Sequence, residues 1–371
     1  MSSSSIKINR WLITIFVIFM ALQGLSQHRI TLLHPTVSNI KNMIWMVENK
    51  VIDIPGVELL GVYSPGEAYD YSESENYIRE KRPGNYKLQK VEGEILPGEI
   101  YTQNSCSAQF RKIFEESDAI LFFGGPDIPA AIYGEKQNLL TLVTDPNRHY
   151  FEISFFFHLI GGSRNPSFHP FLANHPDFIV RAFCLGEQTM NVAAGGTLIQ
   201  DIPTECYHTK TLEETSALPA NNQHRSSVAP LYPLSDLFGG VFHQIKTLKG
   251  GYLNEIAVKS ANSSPLVLSA HHQSVGRIGA NLKVIATSND GKIVEGLQHT
   301  VFPNVVGVQF HPEPASLYQP GERFIPIPGS SISPNALLKQ SNSLEFHRFF
   351  WKDFSVKVEK STRIRGNPNI L

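Results

Sequence analysis

Residues 177–196, DFIVRAFCLGEQTMNVAAGG, pass from an apolar run of strand character directly into a helical pattern that closes on two glycines. No loop separates the two. A buried strand can turn into a helix within one residue only where the helix packs back across the sheet that holds the strand, which is the unit of a parallel sheet. The rest of the chain agrees with this constraint. HRITLLHP reads as a strand and VELLGVYSP as a second one. Between them TVSNIKNMIWMVENKVI places Ile40, Met43, Ile44 and Val47 on one helical face. SAQFRKIFEES and DPNRHYFEISFFFHLIG have helical spacing, and DAILFFGGPD is a buried strand that ends in a Gly-Gly-Pro loop. Residues 161–176 read as a loop. From Pro203 to Asn262 the pattern weakens, predicting long loops with a few short strands. LKVIATSNDGKIVEGLQH is a pair of strands around Asp290-Gly291, VVGVQFHPEP is another strand, and NSLEFHRFFWKDF is the last helix. The expected fold is α/β: a three-layer sandwich with a mostly parallel central sheet flanked by helices. It is expected to form one domain over residues 28–355, followed by a basic C-terminal tail, 356–371.

The first 26 residues are expected to stand apart from that fold. Lys7 and Arg10 precede the apolar run WLITIFVIFMALQGL, and Gly24 and Ser26 are small residues suited to a cut before Gln27. The run is about 15 residues, short of the roughly 20 that span a bilayer. This reads as a signal peptide and predicts an exported protein, periplasmic or secreted, without stable membrane insertion after cleavage; an uncleaved anchor is the rival reading. Thirty-two basic residues against 33 acidic ones, with no long basic block, argue against nucleic acid as a partner. Of three cysteines, Cys106, Cys184 and Cys206, at least one must be a free thiol within a single chain. Whether Cys106 and Cys206 pair is left open, as is the oligomeric state, a homodimer included.

Cys184 occupies the corner between strand and helix, at the carboxyl edge of the sheet where open α/β folds bind ligands. Ala182-x-Cys184-x-Gly186 has the spacing of a nucleophile elbow, whose tight turn needs small flanking residues. A thiol at a helix N-terminus also meets free N–H groups that favour a thiolate. Acyl transfer by a thiolate needs a base and a group to orient it. VQFHPEP supplies His311 at a strand end and Glu313 two residues on. FFGGPD supplies Gly124 and Gly125, whose amides can approach a ligand, so one amide of this loop and that of Leu185 are candidate oxyanion donors. LSAHHQSV crowds His271, His272 and Gln273 after an apolar run. Paired histidines can signal a metal, but no third ligand lies nearby in sequence, so a substrate-lining loop is preferred and no metal or cofactor is expected.

FFGGPDIPAAIYGE, FCLGEQTMNVAAGGTLIQDI, SAHHQSV with LKVIATSNDGKIVEGL, and GVQFHPE occur in the order seen in the class I glutamine amidotransferase-like superfamily. More narrowly the chain resembles the gamma-glutamyl hydrolase and gamma-glutamyl-gamma-aminobutyrate hydrolase family, over roughly Asp118 to Pro314. The resemblance implies a flavodoxin-like sheet and a Cys184–His311–Glu313 triad. It also implies oxyanion donors at Gly125 and Leu185, and a glutamyl pocket lined by Gln188, His271, His272 and Gln273. The implied reaction is omega-peptidase-type hydrolysis of a small gamma-glutamyl amide through a thioester, without a cofactor. The chain departs from the family pattern at Ala182, where glycine is usual, at Glu187 after the elbow, in its opening strand, and in a longer 162–176 segment. Two other readings stand beside the hydrolase: a non-catalytic binding protein on the same scaffold, and a glutaminase-type amidotransferase domain.

Overall fold

The computed structural model describes residues 28–225, 239–321, 323–325 and 331–361. The expected signal peptide and the end of the expected tail lie outside these. In chain order the first half comprises β1 (Arg29–Leu33), α1 (Val37–Glu48), β2 (Glu58–Tyr63), α2 (Tyr71–Lys81), β3 (Tyr86–Lys90), α3 (Ser107–Glu115), β4 (Ala119–Phe122), α4 (Pro146–Ile160), β5 (Ile179–Phe183) and α5 (Leu185–Ala193). Then follow β6 (Leu198–Ile199), α6 (Ile202–Cys206), α7 (Leu212–Ser216), β7 (Val241–Thr247), α8 (Tyr252–Lys259), β8 (Leu266–Ser269) and β9 (Ser274–Val275). The chain closes with β10 (Leu282–Ser288), β11 (Val294–His299), β12 (Val305–Val308), α9 (Pro334–Gln340) and α10 (Leu344–Lys360).

Ten strands form one sheet in the order β3-β2-β1-β4-β5-β12-β11-β10-β7-β8. The first six run parallel. From β12 onward each neighbour is antiparallel. Alternation along the strands splits the core in two, as a pleat requires. Ile30, Leu32, Ala119, Leu121, Ile179, Phe183, Val306 and Val308 face the layer of α1, α8, α9 and α10. Leu33, Ile120, Phe122, Val180, Ala182 and Val305 face the layer of α3, α4 and α5. This is the expected three-layer sandwich with a mostly parallel centre.

α4 is buried around nearly its whole circumference rather than on one face. Its outer side is covered by α3 and by residues 161–176, which carry Phe168 and Phe171 onto it. Phe110 stacks on Phe155 at 4.4 Å and Phe157 meets Phe168 at 4.7 Å. Burying each such ring is worth about 1.5–3 kcal/mol. The segment that reads as a loop is therefore a lid of core.

Elsewhere the structure corrects the reading of the sequence. Residues 203–262 were expected to be mostly loop but contain the seven-residue strand β7 and the helix α8. Val241, Phe242, Ile245, Leu253 and Ile256 go to the core, and the polar His243 is fully buried beside them. α2 and β3 had no counterpart in the sequence reading; β3 is an edge strand with one fully buried residue, Tyr86, so it carries little apolar signal. The basic tail does not begin at 356: α10 continues to Lys360 with Val358 fully buried. All three cysteines are free thiols, Cys106 buried under α3 and Cys206 partly exposed at the end of α6.

Candidate active site

β5 carries the chain to Cys184, whose amide donates to Val308 O at 2.8 Å. The residue adopts φ 53° and ψ −108°, a region that side-chain-bearing residues avoid at a cost of about 1–3 kcal/mol. α5 begins at the next residue. A Cβ at Gly186 would lie 2.6 Å from Phe122 O, so glycine there lets α5 press against the end of β4. This is elbow geometry, as the spacing predicted. Ala182 pairs with Phe122 on one side and Gly307 on the other. Its backbone is extended, a conformation open to alanine as freely as to glycine.

His311 lies just beyond β12, its amide bound to Leu268 O at 2.9 Å. Its Nδ1 is 2.7 Å from Glu313 Oε1, and since a carboxylate accepts, Nδ1 is the protonated nitrogen and Nε2 is left for the thiol. Cys184 also acts electrostatically on this ring. Burial disfavours the imidazolium, yet Glu313 and Cys184 outweigh it and hold His311 well above the ordinary histidine range. The intervening Pro312 carbonyl accepts from Tyr318 Oη at 2.5 Å and from Trp351 Nε1 at 3.0 Å, so α10 fixes the loop that carries the base.

The glycine loop after β4 closes the third side. A Cβ on Gly124 would stand 2.8 Å from His311 Cε1 and 3.6 Å from Cys184 Cβ; only a bare backbone fits there. A Cβ on Gly125 would meet the Arg148 guanidinium and lie 2.9 Å from Leu185 Cδ2. Arg148 Nη2 donates to Gly124 O at 2.9 Å and Phe123 O at 3.3 Å, while its Nε donates to Glu152 Oε1 at 2.7 Å. Arg148 and Glu152 are both buried.

The residues expected to line a glutamyl pocket separate into different roles. Gln188 Nε2 donates to Gln273 O at 3.2 Å and to Gln309 Oε1 at 3.3 Å. Gln273 Nε2 donates to Gln200 O at 3.0 Å, and its Oε1 has no hydrogen-bond partner. His272 Nδ1 is 3.0 Å from Asp201 and its Nε2 is 3.1 Å from Asp127. Burial lowers the pKa of this ring, but the two carboxylates prevail and hold it up at about 9. Both its nitrogens are thus engaged by protein groups. His271 turns away from this pair and is buried against His224, His243 and Glu295. The sequence offered no third ligand beside the histidine pair; the fold brings three candidate ligands to His271 from other segments.

Glu187 is fully buried and packs its Cγ against Gly307. Neither carboxyl oxygen makes a hydrogen bond of normal geometry, although the Leu297 amide lies close enough to favour the charge slightly. Burial, then the charges of Glu295 and Cys184, push this carboxyl well above its ordinary range. A carboxyl kept neutral does not repel a thiolate. Three well-formed surface clefts are lined by none of Cys184, His311 and Glu313, and Cys184 itself is only 5% exposed.

Sequence reasoning missed Arg148, Tyr318, Trp351, Asp127 and Asp201. The i, i+4 spacing of Arg148 and Glu152 was one local sign; Tyr318 acts six residues from Pro312, and Trp351, Asp127 and Asp201 act across long sequence separations.

The peptidase C26 family model matches residues 95–313, more than half of the chain and all of the residues just described around the thiol up to Glu313. A "putative glutamine amidotransferase-like protein" of Rickettsia prowazekii is 26% identical over 225 residues, covering 56% of this chain and 74% of that one. One of the same description from Lactococcus lactis is 30% identical over 196 residues, covering 53% and 66%. A "putative glutamine amidotransferase" of Mycobacterium tuberculosis is 29% identical over 203 residues, covering 54% and 52%. β1, β2 and β3 precede the family match yet belong to the same sheet. The chain belongs to the peptidase C26 family, within the class I glutamine amidotransferase-like superfamily, and its activity is of the cysteine hydrolase or amidotransferase type.

Proposed function

We propose that the protein is an exported cysteine hydrolase that cleaves gamma-glutamyl amide bonds with Cys184, His311 and Glu313. The observation that carries this reading is the strained corner at Cys184 facing an imidazole oriented by Glu313. Strain of this kind persists only where the surrounding structure enforces it, and it gathers at reactive positions.

In this mechanism the Cys184 thiolate attacks the amide carbonyl. The oxyanion is met by the amides of Gly125 and Leu185, and the Arg148 grip on the glycine loop favours that role by fixing the first of them. His311 gives its Nε2 proton to the departing amine, the C–N bond breaks, and a gamma-glutamyl thioester remains on Cys184. Water then loses a proton to His311 and adds to the thioester, which releases glutamate and returns the thiol–imidazole pair. Gln188 and Gln273 are the candidates for holding the glutamyl end.

The binding-only reading drew its force from Ala182 and Glu187. Ala182 sits in regular strand pairing and Glu187 is held neutral, so neither argues for a retired nucleophile. The glutaminase reading shares the same thiol chemistry and differs in substrate. Purified protein should therefore be assayed against gamma-glutamyl amides, gamma-glutamyl peptides and free glutamine, with Cys184→Ala as control. Turnover of gamma-glutamyl amides that vanishes in the variant is the expected result. Turnover confined to glutamine moves the assignment to a glutaminase, and no turnover with an unreactive thiol moves it to a binding protein. N-terminal sequencing of the mature protein checks export: a start at Gln27 is expected, and a start at Met1 removes cleavage from the proposal. Among the described residues no helix is long and apolar enough to cross a membrane.

A further inference from the structure

Four side chains converge in the antiparallel half of the sheet, beside the candidate active site but outside its chemistry. His243 comes from β7, Glu295 from β11, His271 from the turn after β8, and His224 from the segment that follows α7. All four are buried, His224, His243 and Glu295 completely. One ligand-capable atom from each lies within 4.8 Å of all the others. His243 Nε2 is 3.0 Å from Glu295 Oε1, and His224 Nδ1 and His271 Nε2 are 3.8 and 3.9 Å from the same oxygen.

An internal ion pair does not account for this arrangement. The 3.0 Å approach lacks hydrogen-bond geometry, and both nitrogens of His224, both of His243, Nε2 of His271 and both oxygens of Glu295 have no hydrogen-bond partner. Each orphaned buried polar atom costs about 1–3 kcal/mol, and here they cluster at one point. The tautomer of His271 is fixed as well. Its Nδ1 is 2.8 Å from Gln273 O; a carbonyl only accepts, so Nδ1 carries the proton and Nε2 presents a bare lone pair to the centre. A ring whose far nitrogen donates to a backbone carbonyl is the usual arrangement of a metal-bound histidine. Tyr207 stacks on His224 at 5.9 Å with 10° between the planes, which holds that ring in place.

We propose that His224, His243, His271 and Glu295 bind one divalent transition-metal ion, with Zn2+ the best fit. Three imidazoles and a carboxylate suit a borderline ion rather than Mg2+ or Ca2+. A tetrahedron with bonds of about 2.0–2.1 Å sets its ligands about 3.4 Å apart, so the present spacing needs only a modest contraction. Four protein ligands and full burial make the site closed, hence structural rather than catalytic. Its role is to pin the segment bearing His224 onto β7 and β11. It also fixes the turn whose next two residues, His272 and Gln273, border the glutamyl side of the active site. The site is independent of the hydrolase reading.

The test is metal content of the full mature chain carrying Cys184→Ala, which removes the thiol as a competing ligand. The protein is stripped with a chelator, reloaded with Zn2+ and dialysed. One equivalent retained by this protein, and lost when Glu295→Gln or His243→Ala is added, is expected; thermal unfolding should shift upward on reloading only where the ion is retained. Since either added substitution can disturb folding, Co2+ titration of the protein with only Cys184 replaced gives a second reading: visible d–d absorption of four-coordinate cobalt saturating at one equivalent is expected. Retention of another first-row divalent ion in one equivalent upholds the site and changes its ion. Less than about a tenth of an equivalent of any such ion with no cobalt spectrum, or one equivalent still held by folded Glu295→Gln and His243→Ala, overturns the proposal. Ordered water then fills the cluster.

Discussion

The parallel and antiparallel halves of the sheet place polar chemistry in different ways. In the parallel half the reactive groups stand at strand ends: Cys184 after β5, the glycines after β4, His311 and Glu313 after β12. Each arrives with its local backbone at the carboxyl edge of the sheet. In the antiparallel half His243 of β7 and Glu295 of β11 point from the middle of the sheet into a sealed layer. Neighbouring strands there bring distant residues face to face. One arrangement gathers a thiol and its base at the edge of the sheet; the other encloses polar side chains around a point. His272 joins the two, since it follows β8 and holds Asp127 of the glycine loop.

The sharpest way to break this comparison is at the nucleophile. Cys184→Ala should lower hydrolysis by about 10^3-fold or more, with an unchanged thermal midpoint; activity at the level of the unmodified protein would remove chemistry from the parallel half. Glu313→Gln comes next. With the imidazole no longer held by a charge, kcat should fall by about 10^2- to 10^4-fold. Bound metal, if the cluster is separate, should be unaffected, and its loss would merge the two halves into one site.

Arg148→Met tests how the glycine loop is held. It strands the buried carboxylate of Glu152 and should cost about 3–5 kcal/mol in denaturant unfolding; a loss under 1 kcal/mol would mean that the loop stands without it. The smallest effect is expected from His272. Its pKa in the folded protein is raised to about 9, so its contribution to stability is complete below about 6.5, the unfolded value. That contribution is lost as pH rises through about 9. Thermal midpoints should decline between those limits, and His272→Gln should flatten the decline. An equal decline in both proteins would cut the proposed tie between the halves.

Legibility in the sequence follows the same division. The Cys-x-Gly corner, the Gly-Gly loop and His-Pro-Glu were readable because strand-end motifs compress their chemistry into a few consecutive residues. Five of the six parallel strands, β1, β2, β4, β5 and β12, were readable because each is a short apolar run; β3 was not. The cluster was not: His224, His243, His271 and Glu295 are spread across four segments, and only register brings them together. His271 and His272 illustrate the limit. Adjacent in sequence, they looked like one pair with one role, yet one faces a buried cluster and the other bridges two aspartates. β7 went unread because its apolar residues are interrupted by His243, Gln244 and Lys246.

The two donors that grip the Pro312 carbonyl have a bearing on how the protein is made. A chain leaves the ribosome N-terminus first, so the strand, corner and helix around Cys184 emerge well before Trp351. Until α10 is released and docked, the Pro312 carbonyl beside His311 lacks its Trp351 donor and is held by Tyr318 alone. A C-terminally truncated polypeptide without α10 is therefore expected to hold its base less firmly, so that docking of that helix completes the support of the site.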